Sequence, residues 1–202
     1  MENKKLPEKF YKFVKPILGL IFRVYYNPKV IGKENIPKSG SIIVAGNHKH
    51  VMDQCGMIIS TKRVLHYMAK KEYFDSKLAW FFRWTGCISV NRSIHDDVAK
   101  ETALNVLRNG GALGIFPEGT RNKTDAFLLP FKFGCVSMAK KTDSYIVPFS
   151  VTGDYKFRSK NLVYRIGKPF KVTNMELGEA NRRLEKAIGD LMKKSLSEEK
   201  KK

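Results

Sequence analysis

Residues Ser41 to Gly46 (SIIVAG) form an unbroken apolar run with no polar alternation. A strand of this composition is buried on both faces, and such strands belong to parallel sheets covered on either side by helices. Further short apolar runs at Val64 to Ala69, Gly86 to Val90, Ala112 to Phe116, Tyr145 to Val151 and Leu162 to Ile166 read as strands. Helical stretches separate them. Val51 to Ser60 and Lys71 to Trp84 are two. A third has its apolar stripe at Val98, Ala99, Ala103, Val106 and Leu107. Ser93 with Asp96 makes an S-x-x-D box expected to start that helix, and Gly110-Gly111 ends it. A last helix is striped by Leu177, Ala180, Leu184, Ala187, Ile188 and Leu191 and runs into a Lys/Glu tail. Strand–helix alternation predicts an α/β fold, a mostly parallel central sheet flanked by helices.

An N-terminal amphipathic helical segment precedes the sheet. From about Leu6 to Tyr26, Phe10, Phe13, Val14, Ile17, Leu18, Ile21, Phe22 and Tyr25 recur at helical spacing, among basic residues that include Lys4, Lys5, Lys9, Lys12, Lys15 and Arg23. Pro16 is expected to kink this helix or split it. Such a segment suits a membrane interface, and the same stripe would also suit a helix packed on the core. The run Pro16 to Phe22 is short of the roughly 20 apolar residues that cross a bilayer, and it lacks a small-residue cleavage site. The expected division is a membrane-interface segment at 1–27 and the main domain at 28–202.

Charge narrows the partners. The chain has 38 Lys and Arg against 19 Asp and Glu, a net charge of +19. That field attracts polyanions: an anionic membrane, nucleic acid, or an acidic carrier or cofactor. Cys55, Cys87 and Cys135 are widely spaced and form no CxxC pair, so they read as reduced residues in a protein on the cytosolic side.

Two polar motifs follow strand-like runs, where open α/β sheets bind ligands. Asn47-His48-Lys49-His50-Val51-Met52-Asp53 comes after the first run. An imidazole there can take a proton from an alcohol, and a carboxylate on its other nitrogen fixes the tautomer. No Ser or Cys is paired with them, so the attacking group is more naturally a substrate hydroxyl. A metal set from His48, His50 and Asp53 is a competing reading. It lacks the H-x-H-x-D-H spacing of binuclear zinc sites, and neither His66 nor His95 completes it. Phe116-Pro117-Glu118-Gly119-Thr120-Arg121 comes after the Ala112 run. Gly119 permits a tight turn, Arg121 matches phosphate oxygens, and Glu118 could orient that Arg or bind a hydroxyl. The pair of motifs suits an enzyme acting on a phosphorylated alcohol.

These residues resemble the glycerolipid acyltransferase family, whose best-known members are the lysophosphatidic acid acyltransferases. The family carries N-H-x4-D and, farther on, F-P-E-G-T-R-S/N, matched here through Asn122. Tyr67 to Glu72 resembles its Ala-Lys-x-Glu stretch, Gly86 to Arg92 its block ending in an acceptor-binding Arg, and Ile146 to Phe149 its Val-Pro block. The resemblance implies that His48 activates the glycerol hydroxyl with Asp53 orienting it. It implies that Lys70 and Arg121 grip the acceptor phosphate, that Arg92 assists, and that Glu118, Gly119 and Thr120 shape the site. It further implies an acyl thioester of coenzyme A or acyl carrier protein as co-substrate, no other cofactor and no metal. The implied product is phosphatidic acid, made from a lysophospholipid acceptor at the cytoplasmic face of the cell membrane by a peripheral enzyme.

Glycerol-3-phosphate, another lysophospholipid or a lyso-aminolipid are alternative acceptors. A non-catalytic basic protein is another reading, with Tyr155, Phe157, Arg158 and Lys160 as a nucleic-acid patch. No recognised nucleic-acid module accompanies that patch, and nucleic acid is not expected as a partner. The chain departs from many family members at His50 and Val51 and at Asn91, where the acceptor pocket is expected to differ. Leu78, Trp80, Phe81, Phe82 and Trp84 suit either an acyl-chain slot or helix packing on the sheet.

Overall fold

The computed structural model describes residues 6–94 and 96–200, so Lys4, Lys5 and His95 of the readings above lie outside the described residues. Seven strands form one sheet: β1 (Lys29–Ile31), β2 (Ile42–Gly46), β3 (Leu65–Lys70), β4 (Ile88–Val90), β5 (Ala112–Ile115), β6 (Tyr145–Thr152) and β7 (Val163–Ile166). Their order is β1-β7-β6-β2-β5-β3-β4. From β6 to β4 every neighbouring pair is parallel. The other edge reverses: β7 runs antiparallel to β6, and β1 is parallel to β7. The mostly parallel sheet read from the apolar runs is therefore the one observed.

The helices are α1 (Lys9–Tyr26), α2 (Asp53–Ser60), α3 (Ala79–Trp84), α4 (Asp97–Arg108), α5 (Gly134–Lys141) and α6 (Leu177–Glu199). All five residues of β2 are buried, and alternate side chains feed opposite cores. Ile43 and Ala45 pack with Leu104 of α4, Val136 of α5 and Leu184 and Ile188 of α6. Ile42 and Val44 pack with Phe22 of α1 and Met57 of α2.

Helix α1 continues through Pro16 and is not split. Tertiary bonds along its length hold it. The Lys15 ammonium donates to the carbonyls of Thr61 and Arg63, Arg23 donates to the Ile59 carbonyl at 2.8 Å, and the Tyr11 oxygen accepts the Leu65 N–H at 3.3 Å. Burial pulls the Lys15 amine down to about 8. Its inner face (Tyr11, Val14, Leu18, Phe22) turns toward a cavity beneath α2. Its outer face leaves Phe13, Ile17, Leu20, Ile21 and Val24 exposed, Phe13 at 67 %. A helix apolar on both sides is built to be covered on both sides.

Two expected elements differ. The single helix over Lys71 to Trp84 is a 3-10 turn (Lys71–Tyr73) followed by the short α3. Between them the Ser76 hydroxyl donates to the Tyr73 carbonyl at 2.8 Å and accepts the Leu78 N–H at 3.2 Å, local bonds that compete with the helical ladder. Helix α4 is capped by Asp96 rather than Ser93. One Asp96 oxygen accepts the Ala99 N–H at 2.9 Å and the other the Asn91 N–H at 2.8 Å, so the carboxylate takes the capping place.

Candidate active site

The two motifs leave the carboxyl ends of adjacent strands, β2 and β5. Just past β2, the Asn47 side chain imitates one more rung of the ladder with β6. Its amide donates to the Val151 carbonyl at 3.0 Å and its oxygen accepts the Val151 N–H at 2.7 Å. This pins the backbone where His48 departs.

Asp53 is the first residue of α2 and is fully buried. Its Oδ2 lies 2.8 Å from His48 Nδ1 and accepts the backbone N–H groups of Lys49 and His50 at 2.7 Å each. Its Oδ1 accepts the Tyr155 hydroxyl at 2.6 Å. A carboxylate only accepts, so Nδ1 of His48 carries the proton and Nε2 keeps its lone pair free. The imidazole stacks flat on Phe116, with ring centroids 4.0 Å apart and planes 9° apart. Carboxylate and ring thus fix both the tautomer and the tilt of the base.

Glu118 has a different part from either expected one. One of its oxygens accepts the backbone N–H of His48 at 2.7 Å, and the other accepts the Leu129 N–H at 2.9 Å. The Asn122 N–H donates to the His48 carbonyl at 2.6 Å. The second motif therefore grips the first through its backbone, and buried Glu118 is the brace. Burial holds the Glu118 carboxyl above its ordinary value, and the two N–H groups offset only part of that rise. Gly119 turns the chain at φ +70, the left-handed region open to glycine, and its N–H closes on the Phe116 carbonyl at 2.9 Å.

A cavity of about 540 Å³ opens beside His48. Lys70, Arg92, Thr120, Arg121 and Lys123 also line it, Lys70 as the last residue of β3 and the others from beyond a strand's carboxyl end, and all five are exposed. The Lys70 ammonium pairs with Glu72 at 2.6 Å. The remaining wall is mostly apolar, from α1, α2 and Phe81 and Phe82 of α3, with Lys15 and Gln54 among its polar members. Strand β3 lines it from Leu65 to Lys70, a rise of roughly 16 Å at ~3.3 Å per residue. One chamber thus joins a base, a cluster of cations and a long apolar slot.

Of the residues read from sequence, His48, Lys70, Arg92, Thr120 and Arg121 share this chamber, while Asp53, Glu118 and Gly119 stand behind it. Phe81 and Phe82 line the slot, whereas Leu78, Trp80 and Trp84 are exposed on the surface. Val51 is in the lining. His50 is not: its ring stacks on Tyr155 at 4.1 Å. Of the two departures from the family's pattern in the first motif, Val51 is therefore the one that faces the cavity. Lys123 escaped the sequence reading, and Tyr155 entered it only as part of a candidate nucleic-acid patch. Lys123 lies just past the recognised hexamer, and Tyr155 sits in a basic, aromatic run that reads as surface. Among the described residues, no three His, Cys, Asp or Glu side chains cluster closely enough to hold a metal ion.

Residues 27–152 match the family model described as Acyltransferase. The chain is 36% identical over 148 residues to the 1-acyl-sn-glycerol-3-phosphate acyltransferase of Borreliella burgdorferi, covering 68% of this chain and 56% of that protein. It is 30% identical over 165 residues to the protein of the same name from Bacillus subtilis, covering 79% of this chain and 81% of the relative. The chain thus spans little more than half the length of the Borreliella relative. Among solved structures, the lysophosphatidic acid acyltransferase PlsC of Thermotoga maritima shares the fold with a TM-score of 0.71, at 24% identity, over 90% of this chain and 76% of that one.

Proposed function

This chain belongs to the Acyltransferase family, and on that premise we propose that it transfers a fatty acyl group from a thioester to the free hydroxyl of 1-acyl-glycerol-3-phosphate, giving phosphatidic acid. The observation that carries this reading is the His48–Asp53 pair opening on a chamber with four exposed cationic side chains and a mostly apolar slot. Nε2 of His48 takes the hydroxyl proton as the alcohol oxygen attacks the thioester carbonyl carbon. Asp53 stabilises the imidazolium that forms. The C–S bond then breaks, the acyl group stays on oxygen as an ester, and the departing sulfur takes the proton from His48. Arg121, Lys70, Arg92 and Lys123 hold the acceptor phosphate, and the slot takes the acyl chain. The thioester is carried by coenzyme A or by an acidic carrier protein, and a net charge of +19 suits the phosphates of either.

Thin-layer analysis of products from a panel of acceptors tests the substrate: lysophosphatidic acid, glycerol-3-phosphate, lysophosphatidylcholine and a lyso-aminolipid. Phosphatidic acid is the expected product, and selective acylation of any other acceptor would overturn the assignment. Arg121→Ala should raise the acceptor KM about 10-fold or more with little change in kcat, the loss of one charge-assisted bond to phosphate. An unchanged KM argues against that grip.

We also propose that the protein works as a peripheral enzyme on an anionic bilayer. No helix of the described residues is long and apolar enough to cross a membrane. The outer stripe of α1 is continued by exposed aromatics at both ends. Phe10 contacts Trp80 and Trp84 at one end, and Tyr25 contacts Phe157, flanked by Lys156 and Arg158, at the other. Such a strip suits burial at the headgroup level with basic residues on anionic lipid. Sedimentation with phosphatidylglycerol vesicles is expected to bring the protein down, and Phe13→Asp with Leu20→Asp to weaken that binding at least about 10-fold. Equal binding by the variant would remove α1 as the contact.

A further inference from the structure

We infer that Tyr155 is a positioning residue for the catalytic pair, its hydroxyl locking the Asp53 carboxylate in the orientation that serves His48. The inference rests on the reading of His48 as the base. Tyr155 and its neighbour Tyr164 lie beyond residues 27–152, so nothing in the family match assigns them a part.

The four donors on Asp53 are unevenly placed. Three converge on Oδ2: His48 Nδ1 and the N–H groups of Lys49 and His50. Tyr155 is the partner recorded for Oδ1, at 2.6 Å. Without it, Oδ1 is a fully buried anionic oxygen with a strong reason to turn toward the donors on the other side. That rotation carries Oδ2 away from Nδ1 and releases the imidazole.

Tyr155 is itself held. Its oxygen lies 2.6 Å from that of Tyr164. Tyr155 has spent its one proton on Asp53, so Tyr164 is the donor between them. Burial raises both phenols, Tyr164 well above its ordinary value, so both keep their protons, and the other acceptor near the Tyr164 hydroxyl, the Met52 carbonyl, is farther off at 3.4 Å. The Tyr155 ring is sandwiched between His50, stacked at 4.1 Å, and Tyr26, edge-on at 5.5 Å. The Tyr164 ring lies against Gly56, one turn along α2 from Asp53, where an added Cβ would come within 2.1 Å of it. This also gives His50 a place: it clamps the positioning residue.

Tyr155→Phe keeps the ring and removes the bond. The expected result is a kcat about 10-fold lower with the KM of acceptor and donor unchanged. In an Asp53→Asn background the same change should cost nothing further, because the two act through one bond. Equal kcat, or a full additional loss in the Asp53→Asn background, would overturn the inference. A second readout needs no turnover. The His48 Nδ1 proton resonance, recorded on the substrate-free protein, should shift or broaden in Tyr155→Phe, and an unmoved resonance also overturns it. If Tyr155→Phe fails to fold, Tyr164→Phe serves, with the same resonance expected to move and an unmoved one overturning the inference. Lack of acyl transfer by the unaltered protein would defeat the proposed function, while the resonance would still decide the positioning.

Discussion

His48→Ala is expected to abolish turnover, with kcat lowered by about 10³-fold and the fold retained. General-base catalysis by a positioned imidazole contributes roughly 10²–10⁴-fold. Here the residue has the whole contribution to lose, because among the described residues the chamber lining holds no second imidazole. Stability should change little. His48 is half-buried, and what ties its segment down is backbone: its N–H to Glu118 and its carbonyl to Asn122. Alanine keeps both. Initial rates with lysophosphatidic acid and an acyl thioester, beside a thermal melt, check the two halves together. Full activity in a folded variant sinks the base, and inactivity with a collapsed melt would mean that the ring matters to the fold.

Glu118→Ala is expected to do the reverse, costing stability first and activity with it. The substitution strands two backbone donors, His48 N–H and Leu129 N–H, in a buried setting. Each unmet donor costs about 1–3 kcal/mol, so the pair removes about 2–6 kcal/mol. Against a typical total of about 5–15 kcal/mol, that is a large share. For a domain of this size it lowers Tm by roughly 5–20 °C. The rate should fall at least about 10-fold even well below Tm, since the loop bearing His48 loses the contact that positions it. Glu118→Gln separates the effects, because its oxygen can still serve one donor while its amide opposes the other. A melt of Glu118→Ala matching the parent would show that water or rearrangement meets both donors, and the brace would then be a secondary contact.

The central strands and both motifs were legible because their signals are local. β2 is apolar on every residue, and H-x4-D and F-P-E-G-T-R each keep their chemistry within a few positions of a strand end. Asp53 reaches His48 across a single turn, which spacing alone anticipates. Lys70 and Arg92 were singled out only through the resemblance of Tyr67 to Glu72 and Gly86 to Arg92 to blocks of the family. The contacts of Glu118 were not legible for the opposite reason. Its partners are backbone groups, one of them 70 residues away, and a carboxylate beside an arginine looks the same in sequence whether it binds a side chain or a peptide N–H. Tyr155 lies 102 residues from Asp53 and reaches it only because β6 is paired with β2. Its own neighbourhood of lysine, arginine and phenylalanine advertises a surface. β1 went unread because none of its three residues is fully buried and it makes no apolar run, and α5 because it opens on Gly134, a poor helix former. Pro16 was read as a kink or a split because propensity argues for one, and packing along α1 keeps the helix in one piece.

The double-sided apolarity of α1 has a consequence for the protein in bulk solution. Two molecules meeting in water carry like charges of +19, and that repulsion keeps the outer strips of their helices apart. It reaches about 10 Å at 0.1 M salt and about 3 Å at 1 M. Raising salt therefore removes the barrier while leaving the attraction between exposed Phe13, Ile17, Leu20, Ile21 and Val24 untouched. Basic proteins held together by ion pairs are freed by salt, and this one should instead self-associate as salt rises, staying dispersed in dilute buffer or wherever an amphiphile covers the strip.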